Sequence, residues 1–85
     1  MIDLITDNIQ KAIPDSYVVV LNPMNDGVHF QAYVAAESFR GLPLVKQHRL
    51  VMNSLKEEFK ELVHALALTT YLPEKWEEQR TKLNL

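Results

Sequence analysis

Apolar and polar residues follow two distinct periods along this chain. Near the start, Ile2, Ile5, Ile9 and Ile13 recur at helical spacing, with Leu4 and Ala12 beside them, which predicts an amphipathic helix. Pro14 and Asp15 end it. Tyr17 to Leu21 is a β-branched, apolar run and reads as a strand buried on at least one face. The Pro, Asn, Asp and Gly residues between Asn22 and Gly27 predict a loop, and Val28 to Ala35 reads as a second strand paired with the first in a hairpin. Period-two alternation sends Phe30, Ala32 and Val34 to one face and His29, Gln31 and Tyr33 to the other. The first set is assigned to the core. The second is assigned to a partly wet face, as in an antiparallel sheet with helices on one side only.

A short connection containing Gly41 follows, from Glu37 to Leu42. Pro43 suits the first turn of a helix. Leu44, His48, Val51, Met52, Leu55 and Phe59 then keep helical spacing to about Lys60. Val63 to Tyr71 reads as the third strand: Leu66 and Leu68 alternate with smaller residues, and Thr70 and Tyr71 favour extended backbone. Pro73 opens a last helix, with Glu74 at its positive end and Trp76 placed to pack against the sheet. The tail beyond Arg80 is expected to fray. The predicted order is α-β-β-α-β-α, over a single domain of residues 1–85. A hairpin plus a third strand, with helices on one face, makes an α+β two-layer sandwich.

Composition narrows the function classes. The net charge is −2, so the chain has no positive excess for general binding to nucleic acid, where phosphate neutralisation supplies most non-specific affinity; only a local basic patch is open to it. There is no cysteine, which removes disulfides and any self-contained thiolate cage for zinc or iron–sulfur. Asp3 and Asp7, without a long apolar run, do not fit a signal peptide, and no stretch approaches the roughly 20 apolar residues needed to cross a bilayer. The expected location is the cytoplasm.

Catalytic constellations are missing from the pattern. Ser16, Ser38 and Ser54 lack a nucleophile elbow. Glu57, Glu58 and Glu61 read as a solvated helix end without the histidine spacing of a metalloprotease. Two glycines are too few for a phosphate loop. A non-enzymatic protein is expected. The chemistry then rests on three histidines. His48 falls inside the apolar stripe of the long helix and reads as a half-buried residue hydrogen-bonded to backbone. His29 sits one step into the second strand. His64 stands where helix gives way to the third strand, with apolar neighbours and a reachable edge. Arg40, Lys46, Arg49 and Lys56 form a basic set on and before the long helix, read either as a solvated face or as a docking patch.

Three segments resemble the BolA family. Val28-His29-Phe30-Gln31 is similar to its hairpin signature. Ser38-Phe39-Arg40-Gly41 through His48-Arg49-Leu50-Val51 resembles its central Phe-x-Gly and basic-His-Arg motif. His64-Ala65-Leu66-Ala67-Leu68 through Tyr71-Leu72-Pro73-Glu74-Lys75-Trp76 resembles its C-terminal block and looks closest to the IbaG-like bacterial branch. Together with the element order, these segments, which follow one another in the family's order, extend the resemblance over nearly the whole chain. The resemblance implies a class II KH-like fold with a three-stranded mixed sheet. It also implies partnership with a monothiol glutaredoxin around a [2Fe–2S] cluster that the partner holds with its cysteine and glutathione, in cluster trafficking or in iron and stress regulation.

In that scheme His64 matches the family's C-terminal ligand. The family's second ligand is a Cys or His in the hairpin loop. Residues Leu21 to Val28 contain neither, and His29 is the nearest candidate. Arg40, Lys46 and Arg49 are the candidate docking residues for glutathione, an acidic partner surface or phosphates. A homodimer is the other association the resemblance leaves open. The family's alternative role is transcriptional control through DNA. The KH backbone grip uses Gly-x-x-Gly, whereas Gly41-Leu42-Pro43-Leu44 lacks the second glycine and Pro43 offers no N–H.

Overall fold

The computed structural model describes all 85 residues. Helix α1 spans Ile2–Ala12, β1 Ser16–Leu21, β2 Phe30–Ala36, and a 3-10 turn Glu37–Phe39 follows β2 directly. Helix α2 spans Leu44–Leu55, α3 Lys60–Ala65, β3 Leu66–Tyr71 and α4 Pro73–Lys82. Strand β2 is central in the order β1-β2-β3. It runs antiparallel to β1, with Val18 opposite Val34, and parallel to β3, with Phe30 opposite Leu66. The predicted three-stranded mixed sheet in an α+β fold is therefore present.

The sheet's alternation builds two cores of unequal size. Val20, Phe30, Ala32, Val34, Ala36 and Leu66 point to one face, where Ile5, Ile9 and Ile13 of the α1 region and Val51, Leu55 and Phe59 of the α2 region close over them. Phe39 from the 3-10 turn is fully buried there. The isoleucine spacing read from the sequence is thus the buried stripe of α1, although Ile2 and Leu4 stay exposed.

The opposite face carries Tyr33 and Ala35, flanked by Val19, Leu21 and Tyr71, and Trp76 of α4 covers them. Its ring centroid lies 5.4 Å from Tyr71 and 5.8 Å from Tyr33. The expectation of helices on one face alone needs that amendment: α1 and α2 share a face, and α4 lays its one buried residue on the other. Tyr33, assigned to a wet face, is buried for this reason.

Three boundaries also differ from those the pattern predicts. Helix α2 stops at Leu55, and a separate short helix, α3, precedes β3. Phe59 sits between them with φ −126° and ψ 48°, outside helical geometry. Its N–H still donates to the Leu55 carbonyl and its own carbonyl accepts from Val63, so the apolar spacing runs through the break undisturbed. Strand β3 consequently starts at Leu66 and not at Val63. Strand β2 begins at Phe30, which leaves Val28 and His29 in the loop. Leu44, counted in the apolar stripe, is 60% exposed in the first turn of α2.

One buried polar contact ties α2 to the sheet. The Thr70 hydroxyl donates to Gln47 Oε1 at 2.7 Å, and Gln47 Nε2 donates to the Leu42 carbonyl at 2.9 Å. Thr70 is the buried polar residue of the chain, and this bond offsets its desolvation.

Candidate functional site

Parallel pairing of β2 with β3 brings their N-terminal ends to the same end of the sheet, with Phe30 level with Leu66. His29 immediately precedes β2, and His64 lies two residues before β3 in the last turn of α3. The two histidines singled out by sequence therefore belong to neighbouring strand entrances. Both residues are exposed. The His64 ring takes part in none of the side-chain hydrogen bonds or ion pairs of the chain.

The reason His29 lies in the loop is local. Asp26 folds back on the residues that follow it: Oδ1 accepts the backbone N–H of Val28 at 3.0 Å and of His29 at 2.9 Å. Such side-chain-to-backbone bonds compete with a strand ladder and delay pairing. Left-handed backbone at Asn25 (φ 51°) and Gly27 (φ 70°) completes the turn; glycine takes that conformation without the Cβ penalty other residues meet. Asp26 Oδ2 lies 2.7 Å from His29 Nδ1. The hydrogen bond from the ring, followed by the two backbone N–H groups, holds the Asp26 carboxyl well below the usual carboxylate range. Asp26 is the site residue that sequence reasoning missed. Its signal was an Asp three residues ahead of a histidine across a glycine, a spacing that favours an Asx-type turn.

Beside these entrances runs a groove of about 490 Å³. Its lining includes Met1 of the N-terminus, Gly27 and Val28 of the loop, and Phe59 and Leu62 of the α2–α3 segment. Glu57, Glu58 and Glu61 line it too, so the solvated helix end of the sequence reading forms an acidic flank here.

The remaining candidates lie elsewhere. Lys46 and Arg49 border a shallower depression of about 280 Å³ on α2 with Leu42, Leu50 and Asn53. Arg40 is not with them. Its guanidinium donates to both carboxylate oxygens of Glu37 and reaches Glu74 Oε1 at 2.9 Å, which occupies its fork. The bonds from Arg40 hold both glutamates below their ordinary values. His48 is half-buried in α2, as its spacing predicts, but makes no hydrogen bond to backbone.

No three His, Asp or Glu side chains gather into a closed metal cage, and there is no cysteine. Two exposed imidazoles at adjacent strand entrances supply nitrogen donors but do not make up a complete ligand set by themselves. Neutral imidazole suits iron as well as zinc.

A family model described as BolA-like protein matches residues 7–75. Among curated proteins, the DNA-binding transcriptional regulator BolA of Vibrio cholerae is 34% identical over 86 aligned positions, covering 88% of this chain and 81% of that protein. Among solved structures, a bolA protein homologue from Coxiella burnetii superposes with a TM-score of 0.74 at 33% identity, over 91% of this chain and 96% of that one. The BolA domain of SufE1 from Arabidopsis thaliana superposes with a TM-score of 0.72 at 25% identity, over 87% and 93%.

Proposed function

The chain belongs to the BolA-like protein family, and from that premise we propose that it is a non-catalytic binding module that lends His64 to a [2Fe–2S] cluster held jointly with a monothiol glutaredoxin and its glutathione. His29 is the second nitrogen donor in this reading. The observation that carries it is the state of His64: an exposed ring, free of protein partners, at an open end of the sheet. The absence of cysteine makes a thiolate-bearing partner a chemical requirement, because two imidazoles do not satisfy two irons. When bound, the cluster supplies iron that accepts the histidine nitrogen, and imidazole in place of thiolate raises the cluster's potential, as in Rieske centres.

The chain's own residues hold the donors in place. Strands β2 and β3 fix the two entrances by their register, α3 presents His64 from its last turn, and the Asp26 turn presents His29. Lys46 and Arg49 are placed to meet an acidic partner surface or glutathione, whereas Arg40 serves the fold through Glu37 and Glu74. This role places the module in cluster trafficking or in iron and stress regulation.

The test is to mix the purified chain with a cluster-loaded monothiol glutaredoxin and record visible circular dichroism. A new spectrum is expected, and His64→Ala removes it. An unchanged spectrum with the alanine variant overturns the assignment.

A second reading, a DNA-binding transcriptional regulator, is favoured by the name of the Vibrio relative and by Lys46 and Arg49 on an α2 helix that carries no acidic residue. The missing second glycine and the net charge of −2 weigh against it. DNA affinity that falls steeply with salt, and falls further with Lys46→Glu and Arg49→Glu, would support it.

A further inference from the structure

Of the two imidazoles, only His29 is held by another side chain, and the way it is held selects one nitrogen. A carboxylate is an acceptor only, so a 2.7 Å contact between Asp26 Oδ2 and His29 Nδ1 requires the ring proton to sit on Nδ1. The neutral ring then turns a bare Nε2 lone pair outward. His29 is 58% exposed, and Nε2 makes no hydrogen bond within the chain. The same carboxylate is itself fixed, because its other oxygen accepts the N–H groups of Val28 and His29. Asp26 therefore sets the tautomer, the ring orientation and the turn together. Metal-bound histidines show this arrangement: the nitrogen that is not a ligand donates to a carboxylate, which fixes the ring and makes the ligating nitrogen more basic.

We propose that Asp26 is the positioning residue that makes His29 Nε2 the second donor of the site. This rests on the cluster-binding reading above and deepens it. It also accounts for a histidine outside the loop stretch expected to hold a second ligand: Asp26 draws Val28 and His29 out of β2 into the loop. The alternative is that Asp26 only shapes the turn and that its bond to the ring is incidental.

Asp26→Asn separates the two. The asparagine Oδ1 can still accept from the N–H groups of Val28 and His29, so the turn is kept. Its NH2 group now faces Nδ1 and donates to it, which moves the ring proton to Nε2 and covers the donor lone pair. The first readout needs no cluster: 15N NMR of the imidazole in the free chain. The wild type is expected to carry its neutral-form proton on Nδ1, and Asp26→Asn to carry it on Nε2 with backbone shifts outside the loop unchanged. The second readout is the visible circular dichroism titration with cluster-loaded glutaredoxin. Asp26→Asn and His29→Ala are each expected to raise the midpoint by roughly 10–100-fold, and the double variant to be no worse than His29→Ala.

A wild-type tautomer in Asp26→Asn, or a wild-type titration with either single variant while His64→Ala abolishes the signal, overturns the positioning role and leaves the cluster reading standing. A wild-type titration with His64→Ala overturns that reading, and Asp26 loses its role with it. Should Asp26→Asn not fold, Asp26→Ser keeps an acceptor for the turn and releases the ring. A mixed tautomer and a weakened titration are then expected, and a wild-type result in either again overturns the role.

Discussion

The two ends of the sheet are built differently. At the end where β2 and β3 finish, side chains distant in sequence are cross-linked. Asp15 accepts both the N–H and the hydroxyl of Ser38, Arg40 bridges Glu37 to Glu74, and Thr70 is bonded to Gln47. Phe39 is sealed beneath them. At the end where the same strands begin, the side-chain bonds are local, between Asp26 and the residues two and three positions on. Both candidate donors and the groove lie at this second end. One end is tied by side-chain bonds between distant segments, and the other carries both candidate donors at exposed positions whose side-chain bonds are local or missing.

Substitutions can break that comparison. The largest effect is expected at Phe39, whose side chain is fully buried at the cross-linked end. Phe39→Ala should cost about 3–5 kcal/mol in urea unfolding followed by the fluorescence of Trp76, the single tryptophan. Gln47→Ala comes next. It strips the Thr70 hydroxyl of its partner inside the α2–β3 contact and should cost about 1–3 kcal/mol by the same measurement.

A smaller effect is expected from acid. Asp15, Glu37 and Glu74 all titrate below their ordinary values in the folded chain, Asp15 through the Ser38 hydroxyl and the two glutamates through Arg40. A depressed folded value means that the stabilisation is fully present above the ordinary values of 3.8 and 4.5 and is lost as pH falls through the lower folded ones. Melting temperature should therefore fall on the acid side of about pH 4.5. Arg40→Gln should flatten the part of that slope owed to the glutamates, with salt doing the same.

The smallest effect on folding is expected at the open end. His64→Ala should change stability by no more than about 0.5 kcal/mol, since the ring is exposed and unbonded. A large loss there would mean that the histidine holds the strand entrance, and the distinction between the ends would fail.

The sequence carried the scaffold better than the site. The isoleucines of α1, the β-branched run of β1 and Pro73 at the start of α4 were legible because each follows one local rule. The break between α2 and α3 was not, because Val51, Leu55 and Phe59 keep one spacing across it and periodicity is blind to a backbone kink that preserves phase. The start of β2 was misplaced because Val28 is a good strand residue, while the deciding bond comes from Asp26 outside the run. The three histidines were visible as letters. That His29 and His64 share an end required the parallel register, which a sequence pattern does not carry.

Parallel strands joined through a long crossover bring together residues that are distant along the chain. In the cluster-binding reading proposed above, the histidine pair at their entrances would act as a chelating claw only while β2 and β3 stay zipped in register. Anything gripping both rings at once ties the strands to each other and resists unzipping, so its affinity reappears as a higher melting point in proportion to the logarithm of its concentration. A one-handed ligand also shifts the melting point if its ring binds it better in the folded chain, but without the added advantage of closing the claw. The excess shift over that of either single-histidine variant measures the chelation.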